Sequence, residues 1–118
     1  MRGSFQGPHV LVVEDEPLIA MVMEDIFSDL GGDCVVAASV AEAISKIAAL
    51  RFDAAVLDLN LKGETSRQVG VELRAQGVPF AYATGYGDAA TDTDGATVIA
   101  KPYTPEVLAL ALSRLLGV

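Results

Sequence analysis

Five short apolar runs set the tightest limit on what this chain can fold into. They occupy residues 10–13, 35–38, 54–57, 80–83 and 98–100. Each is continuous rather than alternating. That is the pattern of strands covered on both faces, as in a parallel sheet, because a strand with one wet face alternates apolar and polar side chains. Segments with helical periodicity lie between the runs. Leu18, Ile19, Val22, Met23, Ile26, Phe27 and Leu30 recur at spacings of three and four and predict one apolar stripe, closed by Gly31-Gly32. Pro17 suits the first turn of that helix, where its missing N–H costs nothing.

The second helix opens on Ser39-Val40-Ala41-Glu42, a capping-box spacing, with Ala43, Ile44, Ile47, Ala48 and Leu50 as its apolar face. A third is predicted from about Ser66 to Gln76, with Val69, Val71 and Leu73 inward. The last opens on Thr104-Pro105-Glu106 and carries Val107, Leu108, Ala111, Leu112, Leu115 and Leu116. Strand and helix thus alternate. Right-handed crossovers then give an α/β fold, a three-layer α/β/α sandwich on a parallel sheet. At 118 residues this is one domain. The stretch 85–97 breaks the rhythm: it holds three glycines and almost no apolar periodicity, so a loop or one helical turn is expected there.

In such sheets, ligands sit beyond the carboxyl ends of the strands. Glu14 and Asp15 follow the first run, Asp58 the third, Thr84 the fourth and Lys101 the fifth. Three carboxylates repel one another unless a cation joins them. Hard oxygen donors without thiolate or imidazole select Mg²⁺ or Mn²⁺. A carboxylate beside such an ion, with an ammonium and a hydroxyl nearby, suits attack on a phosphoryl group. Asp58 would be the nucleophile, and Thr84 and Lys101 would steady the phosphoryl oxygens. Taken singly each residue has an ordinary explanation: helix-start acids, a strand-end aspartate, a turn threonine, a surface lysine. Their joint order at five strand ends carries the functional reading.

The segments Val10-Leu-Val-Val-Glu14-Asp15-Glu16-Pro17, Val56-Leu-Asp58-Leu-Asn60-Leu, Ala83-Thr84-Gly85 and Ala100-Lys101-Pro102-Tyr103 resemble receiver domains of two-component response regulators. The likeness spans about residues 9–117. It implies a flavodoxin-like fold with strand order 2-1-3-4-5, with Asp58 as phosphoacceptor and Glu14 and Asp15 as metal carboxylates. It also implies that Asn60 gives a backbone carbonyl to the metal, that Thr84 is the switch hydroxyl, and that Lys101 pairs with the phosphate. The implied partners are a sensor histidine kinase or histidine phosphotransfer protein and a downstream effector protein. Val98 stands where the family usually has an aromatic residue. The 79–86 segment, with a short interval to Lys101, resembles the alphaproteobacterial subfamily named for its FAT GUY motif, with Tyr82 in place of the motif's phenylalanine. There the fourth helix is short or absent.

Two other readings compete. A haloacid-dehalogenase-type phosphatase also uses an aspartate nucleophile with Mg²⁺, but its acid pair follows its lysine, and a second aspartate stands where this chain has Asn60. A receiver-like interaction module without phosphorylation would not need all five site residues. The net charge of -8 argues against direct nucleic-acid binding. No apolar run approaches a bilayer span, so no membrane insertion is expected. Residues 1–8 lack a signal-peptide apolar core and are set apart as an N-terminal tail outside the fold; by the resemblance, 9–118 are expected to form the receiver domain. One cysteine, Cys34, excludes an internal disulfide, and a cytoplasmic location is expected.

Overall fold

The computed structural model describes residues 9–29, 31–61, 63–84, 97–100 and 104–117. Their elements run β1 (His9–Val13), α1 (Pro17–Asp29), β2 (Asp33–Ala37), α2 (Val40–Ala49), β3 (Ala54–Asp58), β4 (Asn60–Leu61), β5 (Glu64–Thr65), α3 (Arg67–Ala75), β6 (Phe80–Thr84), β7 (Thr97–Ala100) and α4 (Pro105–Leu116). The five apolar runs form one parallel sheet in the order β2-β1-β3-β6-β7, which is 2-1-3-4-5 counted along the chain. This is the flavodoxin-like three-layer arrangement. The stretch expected to replace a fourth crossover helix lies outside the described residues, as does Lys101.

Alternate residues of each strand feed two cores. Leu11, Val13, Leu57, Phe80 and Tyr82 meet Val40, Ala43 and Ile47 of α2 and Val69 and Leu73 of α3. Val10, Val12, Val56, Ala81 and Ile99 meet Met23, Ile26 and Phe27 of α1 and Leu108, Ala111 and Leu112 of α4. Every residue of the central strand β3 is buried. The edge strand β2 is only partly covered, which its position explains: it has a neighbour on one side alone.

Local signals place the helix starts. The Ser39 hydroxyl accepts from the Glu42 N–H at 3.1 Å. Glu42 reaches back one residue further than a strict capping box, to the Ala38 N–H at 2.8 Å. Thr104 Oγ1 accepts from the Val107 N–H at 3.2 Å, with Pro105 in the first turn. Gly31 ends α1 with φ +82°, a conformation that disfavours a side chain.

Several apolar positions depart from the expected stripes. Leu18 and Val22 face outward on α1, as does Met21, while Ala20 is buried. Val71 and Val107 are likewise exposed, and so are Ala48 and Leu50 at the end of α2, where Val40 is buried instead. A helix resting on a sheet covers a narrower arc than its apolar residues span, so the outer ones stay in water. The ribbon β4–β5 is a further addition. Asn60 pairs with Thr65 and Leu61 with Glu64, around a turn where Gly63 has φ +89°.

Candidate functional site

The carboxyl ends of β1 and β3 lie side by side, because Val13 pairs with Leu57 in parallel register. The next residue on each strand is an acid. Glu14 extends β1 by one hydrogen bond, its N–H donating to the Ala37 carbonyl at 3.0 Å. Its side chain is almost fully buried, and its Oε2 accepts from the Glu16 N–H at 3.1 Å, which turns the chain into α1. Asp15, half-buried, sits in that turn. Asp58 is the last residue of β3 and 5% exposed. Its Oδ1 accepts from the Asn60 N–H at 3.3 Å.

One oxygen from each of Glu14, Asp15 and Asp58 lies within 4.8 Å of the other two. The three acids come from two strand ends more than forty residues apart in sequence. At about 4 Å, two unit charges repel by about 1 kcal/mol in water and by more where water is excluded. Two of these three acids are nearly buried, so the cluster is unfavourable unless a cation joins it. Its donor set is three hard carboxylate oxygens, with no thiolate or imidazole among the three, and this suits Mg²⁺ or Mn²⁺.

The ribbon shapes one wall. Ser66 N–H donates to the Leu59 carbonyl at 3.0 Å, and Leu59 N–H donates to the Ala83 carbonyl at 3.0 Å. One hydrogen bond thus joins Leu59 and Ser66 beside the Asn60–Thr65 pair of the ribbon. The N–H of Asn60 meets Asp58 Oδ1. A cleft of about 310 Å³ beside Asp15 is lined by Ala38, Ser39, Leu61 and Glu64. Glu64 escaped the sequence reading; Gly63, whose φ of +89° lies in the turn between the two short strands, was the available signal. Thr84 ends β6 one residue beyond Ala83, the register partner of Asp58, and is half-buried. The structure thus brings together Glu14, Asp15 and Asp58, sets Asn60 against Asp58, and places Thr84 at the neighbouring strand end.

Comparison with known proteins gives a consistent answer. Residues 10–113 match the response regulator receiver domain family. The aerobic respiration control protein ArcA of Escherichia coli is 29% identical over 95% of this chain. The chain spans about half the length of that relative. Among solved structures, SdrG from Sphingomonas melonis is 41% identical with a TM-score of 0.82, over 92% of this chain and 95% of that one. The receiver domain of a Pseudomonas aeruginosa sensor histidine kinase, with a magnesium ion coordinated in its active-site cleft, is 26% identical with a TM-score of 0.84, over 96% of this chain and all of that one. The receiver domain of the Erythrobacter litoralis response regulator PhyR is also 26% identical with a TM-score of 0.84, over 98% of this chain and 94% of that one. A parallel sheet in this order, a carboxylate cluster at its central strand ends and a family match over most of the length have one common account: the chain belongs to the response regulator receiver domain family, a signalling module of two-component phosphorelays.

Proposed function

We propose that Asp58 is the phosphoryl acceptor and that Glu14, Asp15, Asp58 and the Asn60 carbonyl hold a Mg²⁺ ion beside it. The observation that carries this reading is the meeting of three carboxylates within 4.8 Å at the ends of the two central strands. A bound Mg²⁺ would neutralise charge on the phosphoryl oxygens. The chain's own residues do the rest. A carboxylate oxygen of Asp58 forms the new P–O bond as the P–N bond to a donor histidine breaks, and the imidazole nitrogen keeps the electron pair. The hydrogen bond from Asn60 orients the Asp58 carboxylate for this attack. Thr84 donates its hydroxyl to a phosphoryl oxygen, and Lys101, assigned from sequence, supplies a compensating positive charge. Phosphorylation and hydrolysis of the acyl phosphate are then self-catalysed, without a metabolic substrate.

The donor is a sensor histidine kinase or a histidine phosphotransfer protein, and a downstream effector protein reads the result. A groove of about 350 Å³ between α1 and α4 supports the donor assignment. Val22, Ile26, Pro105 and Ala109 give it an apolar floor, and Asp25, Asp29 and Glu106 an acidic rim. Exposed Leu18 and Met21 continue this face toward Asp15. An amphipathic helix with basic flanks fits such a surface.

Incubation with acetyl phosphate and Mg²⁺, read by intact-mass spectrometry, tests the chemistry. A single phosphoryl adduct that disappears in Asp58→Asn is expected. An adduct that survives this substitution overturns the assignment.

A further inference from the structure

Ser66 is fully buried, and its Oγ has no hydrogen-bond partner. It is the only buried side-chain oxygen or nitrogen in that condition among the described residues. A buried hydroxyl without a partner is destabilising, and an alanine of nearly the same shape would avoid the loss. The usual reason for serine at a helix start does not apply. Ser66 precedes α3, but its backbone has φ -91° and ψ 15° rather than the extended form of a capping residue, and its side chain caps nothing. The N–H of Val69, which a capping hydroxyl would accept, donates instead to the Ser66 carbonyl at 3.0 Å.

The position of Ser66 gives the hydroxyl a different use. Its N–H holds the Leu59 carbonyl at 3.0 Å, and Leu59 follows Asp58 directly. Through the Leu59–Asn60 peptide, Ser66 is tied to the N–H that now donates to Asp58 Oδ1. A phosphoryl group and a metal ion on Asp58 compete for that oxygen, and the peptide must re-aim. We infer that Ser66 is a positioning residue of the phosphorylation site: its hydroxyl, unpartnered in the resting fold, closes on the Leu59–Asn60 peptide when Asp58 carries the phosphoryl group. This rests on Asp58 being the acceptor.

The test compares the parent protein with Ser66→Ala by thermal melting, in buffer, with Mg²⁺ alone, and in a titration of beryllofluoride with Mg²⁺. Beryllofluoride stands in for the phosphoryl group. Three results together are expected. The resting melting temperature of Ser66→Ala is equal to or above the parent's, the shift from Mg²⁺ alone is unchanged, and the beryllofluoride needed for a half-maximal shift rises about fivefold, the equivalent of one ordinary hydrogen bond. If beryllofluoride acts identically on both proteins, the inference is wrong. If Ser66→Ala melts lower or does not fold, the hydroxyl serves the resting fold and the inference is again wrong. A parent that ignores beryllofluoride would take down the Asp58 assignment and this role together, whereas a parent that responds while Ser66→Ala matches it removes the role of Ser66 alone.

Discussion

Asp58, the proposed phosphoryl acceptor, would trade stability for chemistry. It is nearly buried, and one of its oxygens lies within 4.8 Å of carboxylate oxygens of Glu14 and Asp15. Asp58→Asn keeps the shape and removes one charge, so it should raise the resting stability by on the order of 1 kcal/mol at low salt. For a domain of this size that is about 4 °C in melting temperature. Mg²⁺ should reverse the ranking. A ligand that binds only the native state stabilises it by about 2.7 kcal/mol at a hundred times its Kd, and the parent holds the ion better than the variant. Melting both proteins with and without millimolar Mg²⁺ checks the crossing, and Asp15→Asn should lose most of the metal shift.

Cys34 makes the opposite kind of prediction. Burial pushes its thiol up to about 12 from an ordinary 9.0, helped by the negative charges of Glu24 and Asp33. The thiolate is the reactive form, so iodoacetamide should modify the folded protein at pH 8 far more slowly than the urea-unfolded chain. The same shift bears on stability. Between about pH 9 and 12 the unfolded thiol has lost its proton while the folded one keeps it, so the unfolded state binds fewer protons and stability falls as pH rises. Below pH 9 the thiol is protonated in both states and adds no slope. Chemical denaturation of Cys34→Ala should show a shallower loss across that window than the parent.

At the scale of elements, α3 is keyed to the sheet by a missing side chain. A Cβ on Gly70 would stand 2.6 Å from the Tyr82 hydroxyl and 3.0 Å from the Phe80 ring. Both rings are buried, so neither can swing clear. Gly70→Ala should gain about 1 kcal/mol in helix propensity and lose about 1–3 kcal/mol to overpacking. A net loss of about 1 kcal/mol is expected by urea denaturation. Tyr82→Phe in the same chain should recover part of it, because the closest clash is with the hydroxyl.

The elements also show where sequence is informative. Continuous apolar runs marked all five sheet strands, since a strand covered on both faces leaves no other pattern, whereas their order came from the family resemblance and not from the runs. The capping signals at Ser39 and Thr104 gave two helix starts. Glu14, Asp15 and Asp58 were legible as a cluster because parallel register must set strand ends side by side. The ribbon β4–β5 was not legible: two-residue strands carry no period, and only the Gly63 turn hints at them. Nor was the unpartnered state of the Ser66 hydroxyl, because serine before a helix reads as an ordinary cap. Leu18 and Val22 were misjudged as core, since periodicity marks an apolar face but does not say how much of it the sheet covers.

On the scale of the whole molecule, the -8 net charge and the exposed apolar residues act together. An acidic chain repels acidic partners and draws basic ones, faster at low salt. The groove between α1 and α4 concentrates that preference, with an apolar floor and three acids at its rim. Its proposed use as a docking face can be separated from the proposed chemistry at Asp58 by changing the donor. Acetyl phosphate needs only the site, whereas a protein donor needs the docking face as well. Val22→Arg puts a charge on the apolar floor, away from the three carboxylates. It should leave phosphorylation by acetyl phosphate unchanged and lower the kcat/KM for transfer from the cognate histidine donor by about tenfold, the equivalent of about 1.4 kcal/mol. Asp25→Lys with Asp29→Lys should act chiefly on association, and its effect should shrink as salt rises past the Debye regime of about 0.1 M. Equal loss with both donors would place the defect in the site itself. No loss with either would move the docking surface to another face of the domain.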